Sequence, residues 1–193
     1  SSNQVKEGLW FREKNRGFEI EGKTVAILGM GNTGKSFAKK ISSFNCKVFF
    51  YDIDEKIKSK YAKKSSLDFL YKNADIVSLH LPHTINNIDL FNKEFIQKFD
   101  KPFWLINTSR GKIVNTPDLV DALNEKKILG AGLDVIDIES SSFNNLEKEL
   151  NPYFNELINL KNVIITPHIA GWTFESNVKL SQIIIDKIKS LLK

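Results

Sequence analysis

An arginine, a glutamate and a histidine each follow a predicted strand in the C-terminal half of the chain, at Arg110, Glu139 and His168. Oxidising a hydroxyl to a carbonyl by hydride transfer needs a base for the hydroxyl proton, and the ordinary pKa of histidine lies in the working range. The carboxylate of Glu139 could orient the His168 ring and stabilise its protonated form. The planar guanidinium of Arg110 could hold a substrate carboxylate and polarise the adjacent carbonyl oxygen. Each residue alone is more often structural, but the set favours hydride-transfer chemistry.

A glycine-rich segment between an apolar run and a helical pattern predicts a turn that binds a dinucleotide. Its spacing is Gly29-x-Gly31-x-x-Gly34. In such a turn the first glycine allows the tight reversal, the second lets the backbone approach a pyrophosphate, and the third lets helix and strand touch. The N–H groups at the start of the helix would then face the phosphates, aided by the positive end of the helix dipole.

An aspartate at the end of the next apolar run indicates which dinucleotide binds. Asp52 follows the run 46–51, close to the spacing of about 20 residues after the glycines that this motif requires. A carboxylate there can accept hydrogen bonds from the adenosine ribose and repel a 2′-phosphate, which favours NAD over NADP. The alternative is a βαβ unit that binds nothing and has an acidic residue there by chance.

Strands and helices alternate along the chain, which predicts an α/β fold built as one Rossmann-type doubly wound parallel sheet in three α/β/α layers, with ligands at the carboxyl ends of the strands. The predicted strands are 25–28, 46–51, 75–80, 103–106, 130–134 and 163–165. The predicted helices are 4–12, 35–41, one beginning near Ser66, 93–99, 116–126, one or two before Leu160, and 173–192. The segment 53–65 is expected to be a lysine-rich helix or loop, and 139–145 to be irregular.

Composition excludes several other classes of function. The chain has 193 residues, of which 41% are hydrophobic and 26% charged, as in ordinary soluble globular proteins. The net charge of +5 is spread along the chain without an aromatic-interleaved basic cluster, so we expect no nucleic-acid partner. Cys46 is the only cysteine, which fits a reducing cytoplasm. No apolar run approaches the length of a membrane span, and there is no signal-peptide pattern.

Five motifs together resemble the D-isomer-specific 2-hydroxyacid dehydrogenases, over roughly residues 5–190. They are Gly29–Gly34 with Asp52, Leu79-His80-Leu81-Pro82, Asn107-Thr108-Ser109-Arg110-Gly111, Gly132-Leu133-Asp134-Val135 with Glu139, and Thr166-Pro167-His168-Ile169-Ala170-Gly171. The resemblance implies that Arg110 binds the substrate carboxylate and carbonyl, and that His168 is the proton donor and acceptor, paired with Glu139.

The resemblance also implies NAD as the cofactor and a set of residues around it, with no metal. Asn32 and Thr33 would lie at the pyrophosphate, Leu81 and Pro82 near the adenosine half, and Thr108 near the nicotinamide half. The full set of cofactor-binding residues is Gly29, Gly31, Asn32, Thr33, Gly34, Asp52, Leu81, Pro82, Thr108, Ser109, Arg110, Asp134, His168, Ala170 and Gly171.

The sequence departs from the family pattern at three places. The segment 83–87 lacks the second proline often found there, and 140–161 is longer than the usual connection. The N-terminal segment that builds the substrate-binding domain of the family is absent. We therefore expect residues 1–193 to be a single NAD-binding domain that turns over poorly or not at all alone, while the parent protein is the enzyme.

Substrate and partners are less closely defined. The expected substrate is a small D-2-hydroxy acid or its 2-oxo acid, and 172–176 is closest to phosphoglycerate-dehydrogenase-like members. The resemblance implies a homodimer, for which Leu9-Trp10-Phe11 is the candidate contact. One alternative is an NAD-sensing corepressor-like interaction protein, since related corepressors keep the same fold and residues. Another is a dehydrogenase of a different substrate class, such as formate.

Overall fold

The computed structural model describes residues 2–138 and 153–192. Glu139 and the first part of the long segment 140–161 lie outside the described residues. The strands are β1 (Thr24–Leu28), β2 (Lys47–Tyr51), β3 (Lys63–Lys64), β4 (Ile76–Leu79), β5 (Phe103–Asn107), β6 (Ile128–Leu133) and β7 (Val163–Ile165). The α-helices are α1 (Ser2–Lys6), α2 (Asn32–Ile41), α3 (Leu67–Asn73), α4 (Lys93–Gln97), α5 (Thr116–Asn124), α6 (Phe154–Asn159) and α7 (Phe174–Leu191).

The described strands form one parallel sheet in the order β3-β2-β1-β4-β5-β6-β7. Chain order reverses between β1 and β4, because β2 and β3 lie on one side of β1 and the later strands on the other. Leu28 is in register with both Tyr51 and Leu79, so the loops after these three strands begin at one level. This is a Rossmann-like α/β fold, as the sequence predicted, and a ligand crevice opens at such a reversal.

Alternate residues of β1 enter two separate cores, which explains why the whole strand is apolar. Val25 and Ile27 pack with Ala38 of α2 on one face of the sheet. Ala26 and Leu28 join the larger cluster on the other face, which takes side chains from α3, α4, α5 and α6. That cluster contains a group of mutually contacting aromatic rings: Tyr71, Phe91, Phe95, Phe99 and Phe103.

Polar side chains fix where several helices begin. Ser66 accepts a hydrogen bond from Phe69 N at the start of α3, and Asn92 accepts one from Phe95 N at the start of α4. Thr173 and Ser176 form a reciprocal capping box at α7. The helix that the sequence predicted over 116–126 is α5, and its N-cap is Asn115, whose side chain accepts from Asp118 N.

All six predicted strands are confirmed, while the prediction of a helix over 4–12 is wrong beyond α1. Gly8 has φ +79°, outside the helical region, and the chain continues irregularly to a short 3-10 helix at 13–15. The segment after Asp52 is a loop that ends in β3. Its two lysines pair with β2 through backbone atoms alone, so no apolar pattern marks this strand.

The long helix α7 contributes no buried side chain to the domain. Its apolar residues are exposed, among them Val178, Ile184 and Ile188. Trp10 near the N-terminus is also largely exposed. None of the described helices is both long enough and apolar enough to cross a membrane.

Candidate active site

The glycine turn after β1 requires glycine at two positions because of contacts inside the protein. Gly29 has φ +91°, and a Cβ there would lie 2.5 Å from the carbonyl oxygen of His80 after β4. A Cβ on Gly34 would collide with the Gly29 carbonyl, so the first turn of α2 lies directly on the glycine turn. Gly29 N also donates to Tyr51 O over 2.9 Å, which joins the turn to the end of β2.

Gly31 differs from these two glycines because a Cβ there would meet no protein atom within 4 Å. Its missing side chain leaves open space in front of the turn. Gly31 is the N-cap of α2, and no side chain caps this helix, whose first residues Asn32 and Thr33 are exposed. The N–H groups at this end can therefore bind an anion.

Asp52 is held against the glycine turn by backbone hydrogen bonds. One carboxylate oxygen accepts from Met30 N over 2.7 Å, and the other from Asp54 N over 2.9 Å. The side chain is half-buried, and an ionised carboxylate has further acceptor capacity on both oxygens. The structure thus brings Asp52 and the glycine turn together, as the sequence predicted.

The turn carrying Arg110 is built on the buried side chain of Asn107, the last residue of β5. Asn107 Oδ1 accepts from Ser109 N (3.1 Å) and from Ser109 Oγ (2.8 Å), and Asn107 Nδ2 donates to Arg110 O (3.1 Å). Arg110 itself is exposed, and its Nη1 donates to Ser109 O over 2.6 Å. A Cβ on Gly111 would collide with the backbone of Ile136, so the turn packs closely on the segment after β6.

The buried carboxylate of Asp134 holds the loop that carries His168. Asp134 Oδ1 accepts from Thr166 Oγ1 (2.5 Å) and from Ile169 N (2.9 Å), and Oδ2 accepts from Ala170 N (2.8 Å). The backbone oxygen of Asp134 accepts from His168 N over 2.8 Å. These bonds enclose His168, which is half-buried and has φ +54°, a conformation uncommon for a residue with a side chain.

The two turns are joined directly, because Asp134 N donates to Asn107 O over 2.9 Å. Arg110 and His168 therefore belong to one hydrogen-bonded unit at the carboxyl edge of β5, β6 and β7. Of the predicted catalytic residues, these two are brought to one sheet edge, and Glu139 lies outside the described residues.

Comparisons with known proteins show the family to which the chain belongs. Residues 1–170 match the family described as "D-isomer specific 2-hydroxyacid dehydrogenase, NAD binding domain". The chain belongs to this family. It is 34% identical over 197 aligned residues to a glyoxylate reductase of Thermofilum pendens, across 98% of this chain and 55% of the relative.

Solved structures of the same family are also similar. The chain matches a D-isomer specific 2-hydroxyacid dehydrogenase of Lactobacillus delbrueckii ssp. bulgaricus in NAD complexed form, with a TM-score of 0.85 and 29% identity over 99% of this chain and 60% of that one. A D-lactate dehydrogenase from Aquifex aeolicus complexed with NAD and lactic acid gives a TM-score of 0.82 and 30% identity over 99% and 60% of the two chains. The chain spans about half the length of the curated relatives it matches.

NAD is the cofactor of this domain, and the residues at the strand reversal fit it. The open space at Gly31 and the uncapped start of α2 suit a pyrophosphate, and the Asp52 carboxylate suits the ribose hydroxyls. Leu81 is half-buried beside Gly29, and Pro82 is exposed at the same edge. Within residues 2–138 and 153–192, no cluster of three or more His, Cys, Asp or Glu side chains could hold a metal ion.

His80 lies within one of the family motifs, but the sequence predicted no role for its side chain. In the structure its Nε2 lies 2.9 Å from Ser78 Oγ, and its ring centroid lies 5.2 Å from that of Phe37 in α2. Burial lowers the pKa of His80 to about 4, so the ring is neutral near pH 7. His80 therefore helps to join β4 to α2 beneath the glycine turn.

Asn107 was likewise quoted without a role of its own. A signal for it was present, since an asparagine at the end of a strand two residues before a serine can accept from that serine's backbone N–H and so close a turn. Asn107 is 1% exposed, so its three side-chain hydrogen bonds are formed out of water.

Proposed function

We propose that the protein containing this chain is an NAD-dependent oxidoreductase that interconverts a D-2-hydroxy acid and its 2-oxo acid. Arg110 binds the substrate carboxylate and the carbonyl oxygen. His168 exchanges a proton with the substrate, and Glu139 is the carboxylate partner of His168. NAD supplies the hydride chemistry. The observation that carries this proposal is the hydrogen-bonded unit that joins the Arg110 turn to the His168 loop at the sheet edge shared with the glycine turn.

We propose these roles because of what each group can do at that edge. Arg110 is exposed on a fixed turn, and its Nη1 donates to Ser109 O, so its remaining guanidinium N–H groups can form a bidentate pair with a carboxylate. His168 is half-buried and held at its backbone, so its ring can donate or accept a proton without the loop moving.

The substrate is a small acid, with 3-phosphoglycerate, glyoxylate and lactate as the candidates to test. The first comes from the resemblance of 172–176, and the other two from the names of similar proteins, a glyoxylate reductase and a D-lactate dehydrogenase with bound lactic acid. We further propose that the domain acts with a separate substrate-binding domain. The incomplete coverage of its relatives and the exposed apolar residues of α7 both support this.

The experiment is an NADH-oxidation assay on the whole protein with a panel of 2-oxo acids, followed by the reverse reaction with D- and L-hydroxy acids. We expect turnover of at least one 2-oxo acid and oxidation of the D-isomer only. Arg110→Lys should lower kcat/KM about 100-fold or more while NADH still binds, because a lysine loses the bidentate grip. Asp118→Asn on α5 is the control and should leave kcat/KM unchanged.

Two results would contradict the proposal. One is a protein that binds NADH and yet oxidises it with no member of the panel, which would favour an NAD-sensing role. The other is an Arg110→Lys enzyme as active as the unmodified protein.

A further inference from the structure

Asn107 is buried at the end of β5, and both functional ends of its side-chain amide are bonded within the same turn. The carbonyl end holds Ser109 through two hydrogen bonds, and the amino end donates to the Arg110 carbonyl. No other described side chain bonds to the Arg110 backbone carbonyl in this turn. The Asn107 amide is therefore the side-chain group that holds the Arg110 carbonyl, which also accepts from Ile113 N over 3.4 Å within the turn.

The backbone of Asn107 also connects this turn to the next one. Its carbonyl accepts from Asp134 N, and Asp134 then binds Thr166, Ile169 and Ala170 through its carboxylate. Asn107 and Asp134, each less than 6% exposed, thus connect the Arg110 turn to the His168 loop.

We propose that Asn107 is a positioning residue for the reaction: it fixes the Arg110 turn and, with Asp134, the placement of Arg110 relative to His168. This rests on the proposed function, because it matters for catalysis only if both residues act on one substrate. A misplacement of about 1 Å at such a site can cost about 100-fold in rate.

The side chain that tests this most sharply is aspartate. Asn107→Asp keeps the shape and both acceptor bonds to Ser109, but it places a carboxylate oxygen against the Arg110 carbonyl where an N–H donor had been. Two acceptors at that distance repel, so the turn must open from the Arg110 side, and this opening loosens the rest of the turn, including the bonds that Ser109 N and Asp134 N donate to Asn107. Asn92→Asp is the matched control, because Asn92 also accepts a backbone N–H at a turn but lies at the start of α4.

The experiment measures steady-state kinetics with the best 2-oxo acid, NADH affinity and thermal stability of the whole protein. We expect Asn107→Asp to lower kcat/KM for the 2-oxo acid at least tenfold, mainly through KM, with the Kd for NADH changed less than threefold. Asn92→Asp should change neither kcat/KM for the 2-oxo acid nor the Kd for NADH. In an Arg110→Lys background Asn107→Asp should cost less than threefold, because the group it positions is already gone.

Several outcomes would overturn the inference. These are a kcat/KM within twofold of the unmodified protein, an equal loss in NADH affinity, or a full additional loss in the Arg110→Lys background. If Asn107→Asp does not fold, Asn107→Ser, which removes the amino group that donates to the Arg110 carbonyl, should lower kcat/KM with the same split.

Amide hydrogen exchange separates this inference from the proposed function. Asn107→Asp should speed exchange of the Asp134 and Ser109 amides at least tenfold and leave the amides of β1 unchanged. A protein without dehydrogenase activity would sink the proposed function, while this exchange result would still decide whether Asn107 holds both turns. Unchanged exchange at Asp134 would refute the link.

Discussion

At the scale of single residues, the carboxyl edge of the sheet depends on side chains that hold backbone groups. Asp52 accepts from Met30 N beside the glycine turn, and Asp134 accepts from Ile169 N and Ala170 N around His168. Each carboxylate thereby accepts hydrogen bonds from backbone N–H groups of a loop, which have no partner in a neighbouring strand. The residues that the sequence marks for chemistry are thus also the ones that shape the loops.

The first residue-scale prediction concerns Asp52. Asp52→Ala should weaken NADH binding about 10- to 100-fold, because hydrogen bonds to a charged acceptor contribute about 1.5–3 kcal/mol. The preference for NADH over NADPH should narrow, since the charge that repels a 2′-phosphate is lost. Calorimetric titration with both nucleotides measures this.

Asp54→Ala is the matched control, because Asp54 lies on the same loop and is exposed. It should leave both affinities unchanged. NADH binding to Asp52→Ala with undiminished affinity would show that Asp52 only shapes the turn.

At the scale of elements, an ion pair at the opposite edge of the sheet joins three strands. Asp75, just before β4, accepts from Thr24 N of β1 and from Lys101 Nζ just before β5, each over 2.7 Å. Desolvation acts to raise the pKa of Asp75, but the hydrogen bonds and the charges of Lys101 and Lys23 outweigh it and hold the pKa below its ordinary value. The ionised form is therefore favoured by folding.

This gives a prediction on acid stability. A depressed folded pKa stabilises the protein above the unfolded value of about 3.9, and that stabilisation is lost as pH falls through the folded pKa. Asp75→Asn should lower the free energy of unfolding by about 1–3 kcal/mol near pH 7. The difference from the unmodified protein should shrink below about pH 4.

Urea denaturation at neutral and acid pH checks this, with Asp100→Asn as the control on the same edge. Asp100 is exposed, and among the described contacts its side chain forms no ion pair. A difference that stays constant down to acid pH would mean that the Asp75 charge contributes nothing.

At the scale of the whole molecule, exposed apolar side chains lie in the N-terminal segment around Trp10 and along α7. Trp10 is 81% exposed, near Leu9 and Phe11, and α7 buries none of its side chains. The chain spans about half the length of its curated relatives, so part of this surface is available to contact another part of the whole protein. We propose that the N-terminal segment around Trp10 contacts a second copy of the protein in a homodimer.

Trp10→Glu should therefore halve the mass of the whole protein in sedimentation-velocity experiments at low micromolar concentration. An exposed tryptophan that becomes buried in an interface contributes strongly to binding, and a glutamate in its place would bury an unpaired charge. Phe44→Glu is the control, since Phe44 is also exposed but lies after α2. Equal masses for the two variants would exclude this contact.

The sequence by itself determined every strand of the described sheet except β3, together with the glycine turn and the family. Apolar runs bounded by glycine and polar residues mark buried parallel strands such as β1, and the requirements of a tight turn appear directly as Gly29 and Gly34. It failed at β3, where backbone pairing alone makes the strand, and at 4–12, where the apolar residues find no core to pack on.

Only the tertiary structure decided how the turn that carries Arg110 is joined to the loop that carries His168. Asn107 and Asp134 are far apart in sequence, and their link runs through a backbone N–H and carbonyl that every residue possesses. Sequence patterns report which side chains are apolar or charged, but backbone hydrogen bonds between neighbouring strand ends arise from register alone. For that reason Arg110, Asp134 and His168 could be named from the sequence, while the bond between Asn107 and Asp134 that joins the two turns could not be predicted from it.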